Sequence, residues 1–148
     1  MKQKEVKELI IGFETGAYPK EHWTHEAHFV MALWYTYHES LSKAREFIKE
    51  GIKRYNISQG GVNTDEEGYH ETITEFYIQL IAQYQQVNFD WSLDELLLHL
   101  NDQPFLEKTY PFEFYTKEVL MSKAARLGWV APDKKDLLSL KSLVSVEL

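Results

Sequence analysis

Hydrophobic residues recur at intervals of three and four along most of the chain, the spacing that places them on one face of an α-helix. The pattern predicts helices over residues 3–14, 25–38, 42–57, 69–86, 93–100 and 116–127. No segment shows the strict alternation of a half-buried strand. We therefore expect an all-α, single-domain bundle of about six helices over residues 1–148, with a weakly patterned tail from about residue 133.

The second predicted helix differs from the others because, apart from its histidines, it is apolar nearly all round. Its centre, from Phe29 to Tyr35, contains no charged residue. A helix of this kind packs on several sides, so we expect it to be central and mostly buried, with Leu33 and Trp34 inside. Thr24, directly before it, is a suitable N-cap.

Polar residues and glycines mark the ends of the later helices. Thr64 with Glu67 has the spacing of a capping box before the fourth helix, and Ser92 with Glu95 has the same spacing before the fifth. Gly128 is placed to follow the sixth helix as a C′ residue. Residues 58–68, SQGGVNTDEEG, form the clearest loop in the chain.

Composition narrows the class of protein. The formal net charge is −7 and no Lys/Arg cluster exceeds a dipeptide, so a nucleic-acid partner is not expected. The longest apolar run is too short to span a bilayer, and the first residues lack the apolar region of a secretory signal. We expect a cytoplasmic protein that does not bind membranes. There is no cysteine, which leaves His, Asp and Glu as the strong metal ligands.

Three histidines supply the candidate chemistry. His25 and His28 share one face at the start of the second helix, and His70 lies near the start of the fourth. If these helix ends pack together, the three imidazoles converge near the carboxylate of Glu71. Such a set suits Zn, Fe, Mn or Ni with positions left for water or substrate. The sequence thus predicts a metal site at the histidines, with Glu71 as a fourth ligand or general base.

Three known motifs resemble short stretches around these histidines, but none of them fits the sequence. HEAH at 25–28 is one residue shorter than the zinc-protease motif, and HETIT at 70–74 has Thr74 in place of the second His. NTDEEG at 63–68 resembles the start of a calcium loop, but Thr74 stands where a bidentate Glu is required. None of these families is assigned.

Three ordered motifs resemble a family of small bacterial helical proteins of undefined function. WTHEAH, GYHETIT and SKAARLGWVAPD match [FW]-T-H-x-x-H, Y-H-x-T-I-T and S-x-x-A-R near an aromatic residue and Pro-Asp, over about residues 13–133. The resemblance implies a shared fold and pocket without an established activity. The family pattern falls on Thr24, His25, His28, Tyr69, His70, Thr72, Thr74, Ser122, Arg126, Pro132 and Asp133.

The third motif adds a cation to the candidate site. The guanidinium of Arg126 can hold a carboxylate or phosphate through two parallel hydrogen bonds. We expect Arg126 to point into the histidine pocket and to pair with Asp133 or Glu71 when no anion is bound. Tyr69 and Thr74 are expected to contribute hydrogen bonds to the substrate.

Three functions remain open. The first is a metal-dependent enzyme acting on a small, anionic molecule. The second is a non-catalytic sensor that uses the same pocket through hydrogen bonds alone. The third is an interaction module in which the histidines are structural links between helices. The motifs favour a pocket over a bare interaction surface, and they do not separate enzyme from sensor.

Overall fold

The computed structural model describes residues 1–137, which form an all-α bundle with no strand in that range. The helices are α1 (Gln3–Thr15), α2 (His25–His38), α3 (Leu41–Ser58), α4 (Glu71–Val87), α5 (Leu93–Leu100), α6 (Lys117–Leu120) and α7 (Lys123–Leu127). Short 3-10 helices lie at Lys20–His22, Pro104–Leu106 and Tyr110–Glu113. The all-α prediction is confirmed; the predicted tail lies mostly outside the described residues. No helix within residues 1–137 is long and apolar enough to cross a membrane.

α2 is the centre of the bundle and contacts α1, α3, α4 and α5. Phe29 and Leu33 are buried, and Trp34 is partly buried against the core. Burying a side chain of this size stabilises the fold by about 2 kcal/mol. Thr24 caps the helix by accepting a hydrogen bond from the backbone N–H of Ala27. The predicted central, mostly buried second helix is therefore confirmed.

α4 begins two residues later than predicted because His70 is its N-cap. The Nδ1 atom of His70 accepts a hydrogen bond from the backbone N–H of Ile73 at 3.1 Å. Thr64 and Glu67 do not cap this helix: the Thr64 hydroxyl accepts from two backbone N–H groups inside the preceding loop. The prediction of a Thr64–Glu67 capping box for the fourth helix is wrong.

The predicted helix over 116–127 is divided into α6 and α7. Ser122 interrupts it, since its hydroxyl accepts a hydrogen bond from the N–H of Ala125 and so caps a new helix. Gly128 follows α7 with an extended backbone, φ −155°, and not in the left-handed conformation of a typical C′ glycine. The Ser92–Glu95 capping box before α5 is present as predicted.

Charged side chains join α3 to α4. The buried carboxylate of Glu75 accepts hydrogen bonds from Nε and Nη2 of Arg45, at 3.1 and 3.0 Å, and lies 2.8 Å from Nζ of Lys49. Lys49 also donates to Glu71 at 2.8 Å. This network fixes the first two turns of α4 against α3 and thereby positions the residues that follow His70.

Candidate functional site

A cavity of about 330 Å³ lies between α2, α3 and α4, at the end of α2 where His25 is located. Its walls are mostly aliphatic and aromatic side chains of these three helices, which belong to the hydrophobic core. The polar side chains at its surface are those of His25, His28, Thr74, Tyr77 and Lys108. We call this space the inner cavity.

His25 lines the inner cavity and has one unpaired ring nitrogen. Its Nε2 atom is buried and has no hydrogen-bond partner within residues 1–137. The Leu106 backbone lies near the ring and raises the pKa of His25.

The pKa of His25 lies below its ordinary value. Burial is the main cause, and the positive charge of Lys108 lowers the pKa further. The Leu106 backbone and the charge of Glu107 act in the opposite direction without outweighing burial. We conclude that the imidazole is neutral at pH 7.

His28 lies one turn further along α2 and is held more firmly. Its Nδ1 donates to the Thr24 carbonyl at 2.7 Å, since a carbonyl can only accept, and its ring lies against Trp23 with centroids 4.0 Å apart. Burial lowers the pKa of His28, and the neighbouring His25 lowers it further. His28 is therefore also a neutral ring with Nδ1 engaged.

A second, more polar cavity of about 390 Å³ opens beside the loop that precedes α4. This outer groove is lined by polar residues of α3 and the loop, among them Asn56, Gln59 and Tyr69. His28, Ile52 and Thr74 line both the outer groove and the inner cavity. The two spaces are therefore neighbours that share one wall.

His70 lines the outer groove but has no nitrogen free to bind a metal. Nδ1 accepts from Ile73, and Nε2 lies 2.8 Å from the Leu120 carbonyl, to which it donates. Burial lowers the pKa of His70. Within residues 1–137, no group of three or more His, Cys, Asp or Glu residues could hold a metal ion. His25, His28 and His70 do not fit one shared metal ion in this arrangement.

Glu71, predicted as a fourth ligand or general base, is engaged in structural hydrogen bonds. Its carboxylate accepts from the Tyr69 hydroxyl at 2.6 Å and from Lys49 at 2.8 Å. Burial raises the pKa of Glu71, but these two hydrogen bonds outweigh it and the pKa is lowered overall. Burial raises the pKa of Tyr69. Glu71 lines neither cavity and is a weak base, so the geometry does not support its predicted role.

Arg126 does not form the ion pair expected from the sequence. Its Nη1 donates to the backbone carbonyls of Gly68 and Tyr69, at 2.8 and 3.4 Å, and it lines neither cavity. Asp133 instead accepts from the backbone N–H and hydroxyl of Thr116. The predicted pairing of Arg126 with Asp133 or Glu71 is wrong; the guanidinium holds the loop before α4 in place.

Thr74 is the one predicted substrate-binding residue that reaches the inner cavity. It lines both the inner cavity and the outer groove. Its hydroxyl donates to the His70 carbonyl at 2.7 Å, one turn back along α4. The hydroxyl oxygen keeps acceptor capacity toward the cavity.

Sequence reasoning missed two contributions to the inner cavity. Lys108 and the Leu106 backbone reach His25 because the segment after Pro104 folds back over the start of α2. A lone lysine between two prolines carries no pattern that would reveal this contact. Tyr77 of α4 packs against the core and also forms part of the cavity wall.

Comparison of the chain with protein-family models, curated proteins and solved structures finds no match. The resemblance to the small helical family therefore stays a prediction that rests on the three motifs. The function has to be inferred from the geometry of the site.

Proposed function

We propose that the protein binds a small, mostly apolar organic molecule in the inner cavity, as a sensor or carrier and not as a catalyst. The observation that carries this proposal is the inner cavity itself, a mostly apolar space between three helices with His25 and His28 in its wall. An apolar ligand that fills this space removes its own surface from water, which favours binding.

The dimensions of the inner cavity agree with this function. A volume of about 330 Å³ falls at the lower end of the range for small-molecule sites, which is about 300–1,000 Å³. Such sites are typically apolar with a few placed polar groups, as the inner cavity is. The cavity lies among the helices of the bundle, which favours a small ligand over a protein surface as its occupant.

The polar groups near the cavity favour binding over catalysis. Nδ1 of His28 is occupied by the Thr24 carbonyl, and the Thr74 hydroxyl donates within α4. The carboxylate of Glu71 is held by Lys49 and Tyr69, away from the cavity. Glu107 is near enough to raise the pKa of His25, but Nε2 of His25 has no hydrogen-bond partner within residues 1–137 that would make the two a catalytic pair.

Filling the inner cavity tests the proposal. Ala32 lies on α2 in the cavity wall and is buried, so Ala32→Leu adds three carbons to the space that a ligand would occupy. We expect ethylbenzene, a neutral probe of suitable size, to shift NMR signals of Phe29 and Ile81 in the wild type and not in Ala32→Leu. The variant should unfold within about 1.5 kcal/mol of the wild type, because unoccupied space receives the added carbons.

The matched control is Ala124→Leu, the same change at an exposed position on α7. It should leave both stability and binding unchanged. Equal binding by Ala32→Leu and the wild type would place the probe elsewhere and contradict the proposal.

A further inference from the structure

On the basis of the proposed function, we further propose that the ligand is an amphiphilic anion, an unbranched aliphatic carboxylate of medium chain length. Its chain lies along the inner cavity between α2 and α4, and its carboxylate lies at the end of the cavity where Lys108 meets solvent. The inference assigns both the chemical class of the ligand and its orientation.

The inner cavity is long because α2 and α4 run side by side in the same direction. In the first half of each helix the rings of Phe29 and Tyr77 meet, with centroids 4.7 Å apart. Nearer the helix ends, the side-chain amide of Gln85 donates to the Thr36 hydroxyl. The lining part of α2 covers residues 25–32, about 10 Å along the helix axis, roughly the length of an extended octyl chain.

The polar groups of the inner cavity are confined to one end. On α2 the polar lining residues are His25 and His28, and on α4 they are Thr74 and Tyr77. Beyond them, the lining side chains of these two helices are all apolar, and α3 adds only aliphatic ones: Met31, Ala32, Ile78 and Ile81, with Ile48 and Ile52 of α3. A ligand that is polar at one end and aliphatic at the other matches this distribution.

Lys108 supplies a positive charge at the polar end. It lines the cavity, is exposed, and lies close enough to His25 for its charge to lower the pKa of that ring. The ion pairs within residues 1–137 do not include Lys108. Its ammonium group is carried on a flexible stem, so it can follow a ligand that lies at the end of the cavity.

The other charges near this end do not cancel Lys108 inside the cavity. Glu107 is the neighbouring carboxylate, but it is exposed and does not line the space. Burial lowers the pKa of His25 and of His28, so both rings are neutral at pH 7. The lining residues of the inner cavity therefore carry a single charge, which is positive.

The exposure of Lys108 determines where an anionic group can lie. A carboxylate beside Nζ pairs with the ammonium and stays in contact with water, so it avoids the cost of burying a charge. Its alkyl chain then extends past His28 toward Ala32 and loses its contact with water. An ammonium at the same end of a ligand would be repelled by Lys108.

The experiment compares octanoate, 1-octanol and octylammonium, which share one chain and differ at the polar end. Dissociation constants for the full chain are measured by NMR titration at pH 7.5 and low ionic strength. We expect octanoate to bind about three- to fivefold more tightly than 1-octanol, the effect of one solvated ion pair. Octylammonium should bind more weakly than 1-octanol. The preference for octanoate should disappear in about 1 M salt, which screens exposed charges.

Reversing the charge at the polar end tests the role of Lys108. Lys108→Glu should bind octylammonium more tightly than octanoate. The control Lys117→Glu makes the same change at an exposed lysine of α6 that lines neither cavity, and it should keep the wild-type order. If Lys108→Glu fails to fold, Lys108→Met removes the charge and keeps an apolar stem, and it should bind octanoate and 1-octanol equally.

Shortening the apolar end tests the orientation of the chain. In the wild type, octanoate should bind roughly tenfold more tightly than hexanoate, because two more methylene groups leave water. Ala32→Leu fills the aliphatic end of the cavity and should abolish this difference, whereas Ala124→Leu should keep it. A tenfold difference that persists in Ala32→Leu would show that the chain does not extend toward Ala32, and the proposed orientation would be wrong.

Failure of this inference is distinguishable from failure of the proposed function. If octanoate, 1-octanol and ethylbenzene all fail to bind, the proposed function is wrong. If ethylbenzene binds in the inner cavity but octanoate and 1-octanol bind equally, the cavity binds ligands and the carboxylate inference is overturned. A preference for octanoate that survives in Lys108→Glu would also overturn it, because the anion would then be held elsewhere.

Discussion

His70 joins three parts of the molecule through its ring and backbone. Nδ1 caps α4, Nε2 donates to the Leu120 carbonyl at the end of α6, and the backbone carbonyl accepts from the Thr74 hydroxyl. Only the neutral ring with its proton on Nε2 satisfies both ring contacts. The side chain is therefore a structural link between α4 and α6.

Substitutions at His70 should separate its two contacts. Asn at this position can still cap α4 but cannot reach Leu120, whereas Ala loses both contacts. We expect His70→Ala to lower the free energy of unfolding by about 2–3 kcal/mol and His70→Asn by about 1 kcal/mol less. Urea unfolding at pH 7.5 measures both, with His38→Ala as the exposed control. A loss under about 0.5 kcal/mol for His70→Ala would contradict the structural role.

The sequence revealed part of this site and not the rest, for reasons that differ between residues. The shared face of His25 and His28 follows from their i, i+3 spacing on one helix, which needs only local geometry. The role of His70 depends on Leu120, fifty residues further along the chain, and on an imidazole acting as an N-cap. Histidine is not among the preferred capping residues, so the pattern assigned the cap to Thr64.

At the scale of elements, the contact between α3 and α4 depends on the carboxylate of Glu75. Glu75→Ala removes the carboxylate that pairs with Arg45 and Lys49. Both cations are partly shielded from water and would then lack this partner. We expect a loss of about 2 kcal/mol, below the values for fully buried pairs because Arg45 is partly exposed. Glu50→Ala removes an exposed carboxylate from α3 and should cost less than about 0.5 kcal/mol. Similar unfolding midpoints in urea for the two variants would show that the network is not stabilising.

Helix boundaries were predictable wherever a hydroxyl cap precedes an apolar stripe. Thr24 and Ser92 place the starts of α2 and α5 correctly, because each forms its cap with the helix that directly follows. The division of α6 from α7 was missed because Thr116 and Ser122 both act as caps within one continuous apolar pattern. A serine inside such a pattern is compatible with either one helix or two, and packing decides between them.

At the scale of the whole molecule, buried titratable groups determine how stability depends on pH. Burial lowers the pKa of His25, His28 and His70 below the ordinary value of 6.5. The unfolded chain therefore binds more protons than the folded chain just below pH 6.5, and acidification favours unfolding there. The pKa values of Glu71 and Glu75 also lie below their ordinary 4.5, although burial alone would raise them, because hydrogen bonds from basic and polar neighbours dominate.

These shifts predict two separate losses of stability on acidification. The free energy of unfolding should be constant above about pH 7, should fall as the pH drops below about 6.5, and should fall again below about 4.5. Urea unfolding between pH 4 and pH 8 measures the profile. His70→Asn should make the first decline in the free energy of unfolding shallower. Glu75→Gln should make the second decline shallower. A profile without any decline between pH 7.5 and 5.5 would show that the histidines titrate alike in the folded and unfolded chains, and neutral His25 would then lose its support.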